Sequence, residues 1–551
     1  MSQQSFNIAS AVHSAFRLYE ESQYHECMDI CIQILGIDCT RADIWSLAGI
    51  VMLKLEMYEK AVEYFTQASN FAPNDLSHRI NLAEAHRRCG NPKASIDELT
   101  LLLTQEKAME NTPTLPTLHF NLAKAYSDIE DSQNSIKHYT IAIKLDPNDL
   151  GAMFNLANAQ VSLKHFGEAI ELYLNALSKG YLDAGVNLAN TYVQIGLFSE
   201  ALEVYRGIYQ YYKDDSDFLF NYANALNYAN ALPQDTQTLY QQAIGLNPQK
   251  SEYCINYAHF LLKHLDLANG FRIYEERKKL PNMLPQGITK LWEKGECLSD
   301  KNVLIYHEQG LGDSIMFSRF VPLLQKVAKN VLVLIQEPLL PLFEKFHIPC
   351  VCGITQDLEY DVALSLLSLP YALSVSHRQE LESLSFCDTP RMETHKIKTY
   401  GVKKIGICFS TDSAFPESAN KNIPFEVLMS ALSEAQRLGV EIYSLNKAEC
   451  ENQNENLNKF GIIQKPMNDF LQTYEIIKEL DLVISIDTAV AHLSGSMGKH
   501  TLVLLNKRYD WRWGNGISTP WYENVLCMTQ SKMGQWSDVA QNLKAYLGSY
   551  I

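Results

Sequence analysis

From Ile8 to about Lys278, apolar residues recur at the three- and four-residue spacing of amphipathic helices. These helical runs come in pairs. Over Ala42–Asp75, Trp45, Ala48 and Gly49 mark a first helix, Tyr58, Ala61, Phe65 and Ala68 mark a second, and Pro73 stops it. Small residues let two helices approach closely, and the aromatics fill the groove to the next pair. The large apolar place of the second helix is then taken by Phe65, Leu99, Tyr139, Tyr173, Tyr205 and Tyr240, at steps of 34, 40, 34, 32 and 35 residues. The long step puts an insertion around Gln105–Pro113. Pro147 and Pro248 close two further units. A degenerate unit fits Ile8–Arg41, with Tyr24, Cys27 and Cys31 in matching places, and a last one fits about Ser251–Lys278.

A period near 34 residues with this residue pattern resembles tetratricopeptide repeats, which implies an α-solenoid, a tetratricopeptide superhelix, over residues 1–278. A second ladder lies inside the first: Asn-Leu-Ala or Asn-Tyr-Ala recurs at Asn81, Asn121, Asn155, Asn187, Asn221 and Asn256. These fall on the first helix of each pair, which lines the concave face of such a superhelix. Carboxamides both donate and accept, so an even row of them can grip the backbone of an extended acceptor peptide. The row resembles the asparagine ladder of protein O-GlcNAc transferases. The plainer alternative is that each carboxamide is satisfied within its own repeat.

After Lys278 the helical period stops. Residues 279–300 carry two prolines and two glycines and read as a linker. Strand-like runs follow at Asn302–Tyr306, Asn330–Ile335, Lys403–Phe409, Val440–Leu445, Asp481–Ile486 and His500–Leu505, with Cys350 and Cys352 alternating on another. Helical stretches fit at Ser314–Ala328, Phe425–Leu438, Asp469–Leu480 and Ala489–Met497. Continuous apolar strands alternating with helices predict parallel sheets covered on both faces. The alternation restarts after Tyr400, giving two Rossmann-like halves, 301–399 and 400–551, with a site at the carboxyl ends of their strands.

Three segments follow a strand and open a helix. In the first, His307 to Asp313, Gly310 and Gly312 allow a tight turn, and Asp313 lies near a helix start, where an ordinary N-cap is the alternative. The positive end of that helix is expected to lower the Asp313 pKa. In the second, Ser410, Thr411 and Asp412 offer hydroxyls and N–H groups to a diphosphate, and Lys421 supplies a charge. In the third, Asp487, Thr488 and Ala489 lead into a helix with His492 one turn in; Thr488 suits an N-cap and the N–H groups after it an anion. Tyr509, Trp511, Trp513 and Trp521 either wall a sugar or base site or plug the core. Asn446, Lys447 and Pro466–Asn468 are weaker candidates beside a nucleotide.

The Gly-x-Gly-Asp turn, the Asp-Thr-x-x-x-His segment, Ser368–Pro370 and the Asp-Trp-x-Trp of Asp510–Trp513 resemble glycosyltransferase family nine, the heptosyltransferase type, over about Leu280–Leu547. They look like bacterial proteins that fuse tetratricopeptide repeats to such a module. The resemblance implies a GT-B fold and an inverting, metal-independent transfer from a nucleotide sugar. Asp313 matches the family's general base, and His307 is the second candidate, by likeness to O-GlcNAc transferases. Ser410, Thr411, Lys421, Asp487, Thr488, Ala489 and His492 match its donor contacts. Beyond the nucleotide-sugar co-substrate no cofactor and no metal is implied, and no Asp-x-Asp stands at either strand end.

Composition narrows the partners. Lys+Arg number 47 against Asp+Glu 63, a net charge of −16, which does not suit a nucleic-acid binder. The 12 cysteines show no metal spacing and read as small buried apolar residues. The first ten residues lack the basic and apolar regions of a signal peptide, and no apolar run is long enough to span a membrane, so a cytoplasmic location is expected. The function expected is transfer of a sugar to a hydroxyl of a protein acceptor, flagellin or another surface protein, recruited by the repeats. A lipid or polysaccharide acceptor, or a non-catalytic scaffold, is the alternative.

Overall fold

The computed structural model describes residues 7–106, 114–281, 283–355, 358–382, 401–411, 418–447 and 457–549. The expected insertion at Gln105–Pro113 and Asp412 lie largely or wholly outside them. The chain packs as two compact units, Met1–Tyr192 with Glu203–Ile208, and Val193–Leu202 with Tyr209–Ile551. The sequence boundary at Lys278 marks a change of element type. The packing boundary falls earlier, between Tyr192 and Tyr209.

The chain opens with an α-solenoid of sixteen helices among the described residues, Ile8–Glu20 to Leu267–Tyr274, mostly 13–15 residues long. In the first unit the predicted pairing is explicit: Ala42–Lys54 packs on Tyr58–Phe71, and Leu150–Ser162 on Phe166–Ser178. Gly49 is required by contact, since a Cβ there would lie 2.8 Å from the Phe65 ring. Phe65, Leu99, Tyr139, Tyr173 and Tyr205 are all buried. The repeat also appears in the turns. The residue between paired helices is left-handed at Glu56, Gly90, Glu130 and Lys164; only two turns of the whole array give this place to glycine, here Gly90 and later Gly196. Asp75, Asp131 and Asp149 cap the helices that follow them.

The second unit begins with helices of the same kind, among them Ser216–Tyr228, Pro233–Leu246, Ser251–Lys263 and Leu267–Tyr274, then a 3-10 turn, Glu275–Lys279. The predicted linker docks: Lys290 and Trp292 bond through their backbones to Ala363, at the edge of the first sheet. That sheet holds β1 (Asn302–Tyr306), β2 (Asn330–Leu334), β3 (Cys350–Val351) and β4 (Val362–Ser365), all parallel, in the order β3-β2-β1-β4. The second sheet holds β5 (Lys404–Cys408), β6 (Glu441–Ser444), β7 (Leu482–Ile486), β8 (Thr501–Leu505) and β9 (Val525–Thr529), parallel in the order β6-β5-β7-β8-β9. In each sheet the chain order reverses beside the first strand, between β1 and β4 and between β5 and β7. Ligands of open parallel sheets bind outside the carboxyl ends at such points.

The predicted helix Ser314–Ala328 is broken into Leu311–Phe317, a 3-10 turn and Val321–Gln325, with Pro322 in the first turn of the last piece. Cys39, Cys297 and Cys352 are exposed rather than buried and Cys89, Cys254 and Cys350 are half-buried, while Cys27 and Cys31 are fully buried as expected.

One buried cation ties the last helical turn to the first sheet. Arg277 is 1 % exposed. It donates to Glu308 just after β1 (2.7 Å), to Glu275 (2.8 Å) and to the hydroxyl of Ser368 just after β4 (2.8 Å).

Candidate functional site

The two glycine- and aspartate-bearing turns at the reversal points meet. Helix Leu311–Phe317 starts from the β1 turn and helix Ala489–Ser496 from the β7 turn. A Cβ at Gly312 would lie 2.9 Å from the His492 ring and 3.4 Å from the Ala489 Cα. Gly312 therefore serves a helix-to-helix approach more than a turn. Gly310, not Asp313, is the N-cap residue. Asp313 stands in the first turn, with Arg512 Nη2 2.6 Å from its carboxylate.

The expected lowering of the Asp313 pKa is reversed. Burial pushes this carboxyl above its ordinary value, Arg512 works against the shift, and Asp510 and Asp487 add to it. Desolvation outweighs the short helix's end and the one guanidinium. His307 is half-buried, and burial lowers its pKa, which favours the neutral imidazole. The turn between them is clamped. Arg277 holds Glu308, Tyr274 bonds Gln309 Nε2 (3.1 Å), and Gln336 Nε2 donates to the Gln309 carbonyl (2.9 Å).

Across from Asp313, Lys421 pairs with Asp487 at 2.6 Å. Burial works to lower the Lys421 pKa, but Asp487 raises it on balance, so the ammonium stays charged. At the end of β5, Asn446 Nδ2 donates to both the carbonyl and the hydroxyl of Ser410 (2.8 Å each), and Asn422 accepts from the Thr411 N–H (3.0 Å). Thr488 is the N-cap residue of its helix, as expected, but its side chain makes no capping bond. Its hydroxyl bonds Ser485 at 3.0 Å, leaving no side-chain cap on the N–H groups that open Ala489–Ser496. His492 is inside: 4 % exposed, stacked on Trp513, with Nδ1 3.0 Å from the Tyr522 hydroxyl, and burial lowers its pKa to about 4.

The tryptophan question resolves as packing, with Trp511, Trp513 and Trp521 all buried. Tyr509 is half-buried, bonded to Asn230 and covered by Lys263. Lys447, Pro466 and Asn468 are exposed, and Met467 packs on the core. The residue that sequence reasoning passed over is Arg512, between two of those tryptophans. It bonds Asp313 and Asp510 at once (2.6 and 2.9 Å) and reaches Gln309 (3.4 Å). An arginine set directly between two tryptophans, with an aspartate two places before it, was the available signal.

Half of the asparagine row, Asn155, Asn187 and Asn256, is bonded within the helical array. Asn155 donates to the Gly151 carbonyl of its own helix. Asn187 donates to Asn158, which also accepts from Tyr173, and Asn256 donates to Asn224, which also accepts from Tyr240. All six asparagines are half-buried. In the first unit, Asn155 and Asn158 line a polar depression of about 730 Å³ with Arg87, Lys124, Asp128 and Tyr139. Among the described residues no helix is long and apolar enough to cross a membrane.

Residues 120–183 match the family model of the tetratricopeptide repeat, which identifies that stretch of the helical array as such a repeat. DnaJ homolog subfamily C member 7 of Mus musculus is 26% identical over 161 residues, covering 27% of this chain and 33% of that protein. Its Homo sapiens counterpart is 25% identical over the same length and shares. The chain thus spans about a third of the length of these curated relatives. Among solved structures, the APC/C hetero-tetramer Cut9-Hcn1 is 16% identical, covering 46% of this chain and 49% of that one, with a TM-score of 0.36. A tetratricopeptide repeat protein from Parabacteroides merdae is 8% identical, covering 45% and 95%, also at 0.36.

Proposed function

We propose that this chain is an inverting glycosyltransferase of GT-B type, moving a sugar from a nucleotide sugar to a hydroxyl of a protein held by its tetratricopeptide repeats. The observation that carries this reading is the convergence of both reversal-point turns on one half-buried charge cluster. An acid at the β1 turn faces a lysine and an uncapped helix start at the β7 turn, which is the arrangement a displacement at an anomeric carbon needs. Lys421 and the N–H groups after Thr488 take the diphosphate as charge develops on it. Ser410 and Thr411 border it at the end of β5. His492 acts from inside, holding the two helix starts together. Asp313, or the neutral His307, receives the acceptor proton. Such stabilisation needs protein charges alone, so the reading is metal-independent. The polar depression in the first unit supports a protein partner, which repeats of this kind recruit.

The test is intact-mass analysis of flagellin coexpressed with wild type or with Lys421→Ala. Addition of a hexose-sized mass with wild type, falling at least tenfold with Lys421→Ala, is expected; equal addition with both removes Lys421 from the donor site. A second reading, a protein-interaction scaffold without catalysis, is favoured by the repeats and by carboxylates already occupying Lys421 and Arg512. It predicts that calorimetry detects no binding of any nucleoside diphosphate.

A further inference from the structure

The cluster between the sheets holds three carboxylates, Asp313, Asp487 and Asp510, and two cations, Lys421 and Arg512. Asp487 has its own lysine. Asp510 accepts from both the guanidinium and the backbone N–H of Arg512 (2.9 Å each). Asp313 shares that same guanidinium, so one cation serves two acids. The other groups facing Asp313 are the Tyr274 phenol, the Gly310 backbone, and Gln309, which also bonds Arg512. The His492 ring lies beyond Gly312. A diphosphate entering here adds negative charge to a cluster already short of cations.

We propose that Asp313 and Arg512 form the proton store of the site: Arg512 holds Asp313 ionised in the free protein, and Asp313 takes up one proton when a nucleoside diphosphate binds. This rests on the glycosyltransferase reading. Protonation frees Arg512 Nη2 from Asp313 while Asp510 keeps Nη1, so the guanidinium turns one edge to the phosphates. The Nε–H of Arg512, buried with no acceptor, supplies a further donor on that edge.

The transfer step balances on these groups. The acceptor oxygen bonds the anomeric carbon and its proton passes to Asp313. The bond from that carbon to the diphosphate oxygen breaks, and its electron pair stays with the diphosphate. One negative charge leaves Asp313 and one appears on the phosphates, so the cluster's total is unchanged. A nucleoside diphosphate arriving from solution reaches that same state only by drawing a proton from the buffer. A sugar nucleotide, carrying one negative charge fewer, does not.

The test is calorimetric titration of the full chain with uridine, guanosine, adenosine and cytidine diphosphates, in two buffers of different ionisation enthalpy. A pH near 8 leaves the terminal phosphate (pKa of about 6) fully ionised before binding. Uptake close to one proton per ligand bound is expected in wild type and in His307→Gln, and close to zero in Asp313→Asn. In Arg512→Gln the free protein already holds much of the proton, so uptake falls by half or more. Binding without uptake in wild type overturns the proposal and leaves the glycosyltransferase reading standing. So does uptake that survives Asp313→Asn and vanishes in His307→Gln. Unchanged uptake in Arg512→Gln removes Arg512 from the store. If none of the four ligands binds, the glycosyltransferase reading falls as well.

Discussion

At the scale of single residues, Gly312 shows how little room the site leaves. A methyl group there would press on the His492 ring at 2.9 Å and on the Ala489 backbone at 3.4 Å. The ring is itself fixed by Trp513 and Tyr522, so it has nowhere to yield. Gly312→Ala is therefore expected to cost about 1–3 kcal/mol of stability, the usual size of overpacking, and to weaken nucleoside diphosphate binding by separating the two helix starts. Thermal melting and calorimetry read the two effects, and a variant that melts and binds like wild type would refute the contact. The sequence showed Gly312 as part of a turn because glycine spacing is local. It did not show the partner helix, some 180 residues away in the chain. Arg512 was hidden for the same reason: its value lies in which carboxylates surround it.

Among elements, legibility followed length and periodicity. The helical pairs were legible because each repeats a pattern fixed by its neighbours. Every strand expected from a continuous apolar run appears, whereas β4 and β9 went unpredicted, β4 being four residues and β9 carrying a polar end. The asparagine row was visible, but its bonding was not. Only the fold shows Asn158 and Asn224 each accepting from a tyrosine and from the next repeat's asparagine. Arg277 works at this scale too, since it joins a helical turn to two strand ends. Arg277→Met leaves the fully covered Glu308 carboxylate without its cation and the half-buried Glu275 with Lys278 alone. Breaking a buried pair from one side costs about 3–5 kcal/mol, and urea unfolding should register a loss of that order. A loss under about 1 kcal/mol would mean that the network contributes no more than a surface pair.

For the whole molecule, acid should be the weakness. His138 in the first unit and His259 and His492 in the second are all driven down to about 4 by burial, with His119 also pressing on His138. An unfolded histidine titrates near 6.5. Between these values the unfolded chain binds protons that the folded chain refuses. The stability these three confer is complete above about pH 6.5 and falls steadily towards pH 4, by up to about 3 kcal/mol for His492, which is 4 % exposed. Thermal scans at pH 7.5 and 5 should separate clearly; coincident scans would mean that the histidines protonate without penalty in place.

The packing boundary between Tyr192 and Tyr209 has a consequence for how such a chain is assembled over generations. Among the described residues, Leu267–Tyr274 carries Phe271 and Tyr274 into the sheets' own core. Recombination can therefore exchange the early repeats, which pack as a unit of their own, like beads. The final repeats are inherited with the sheets, and a chimera joined at Lys278 would cut through a core.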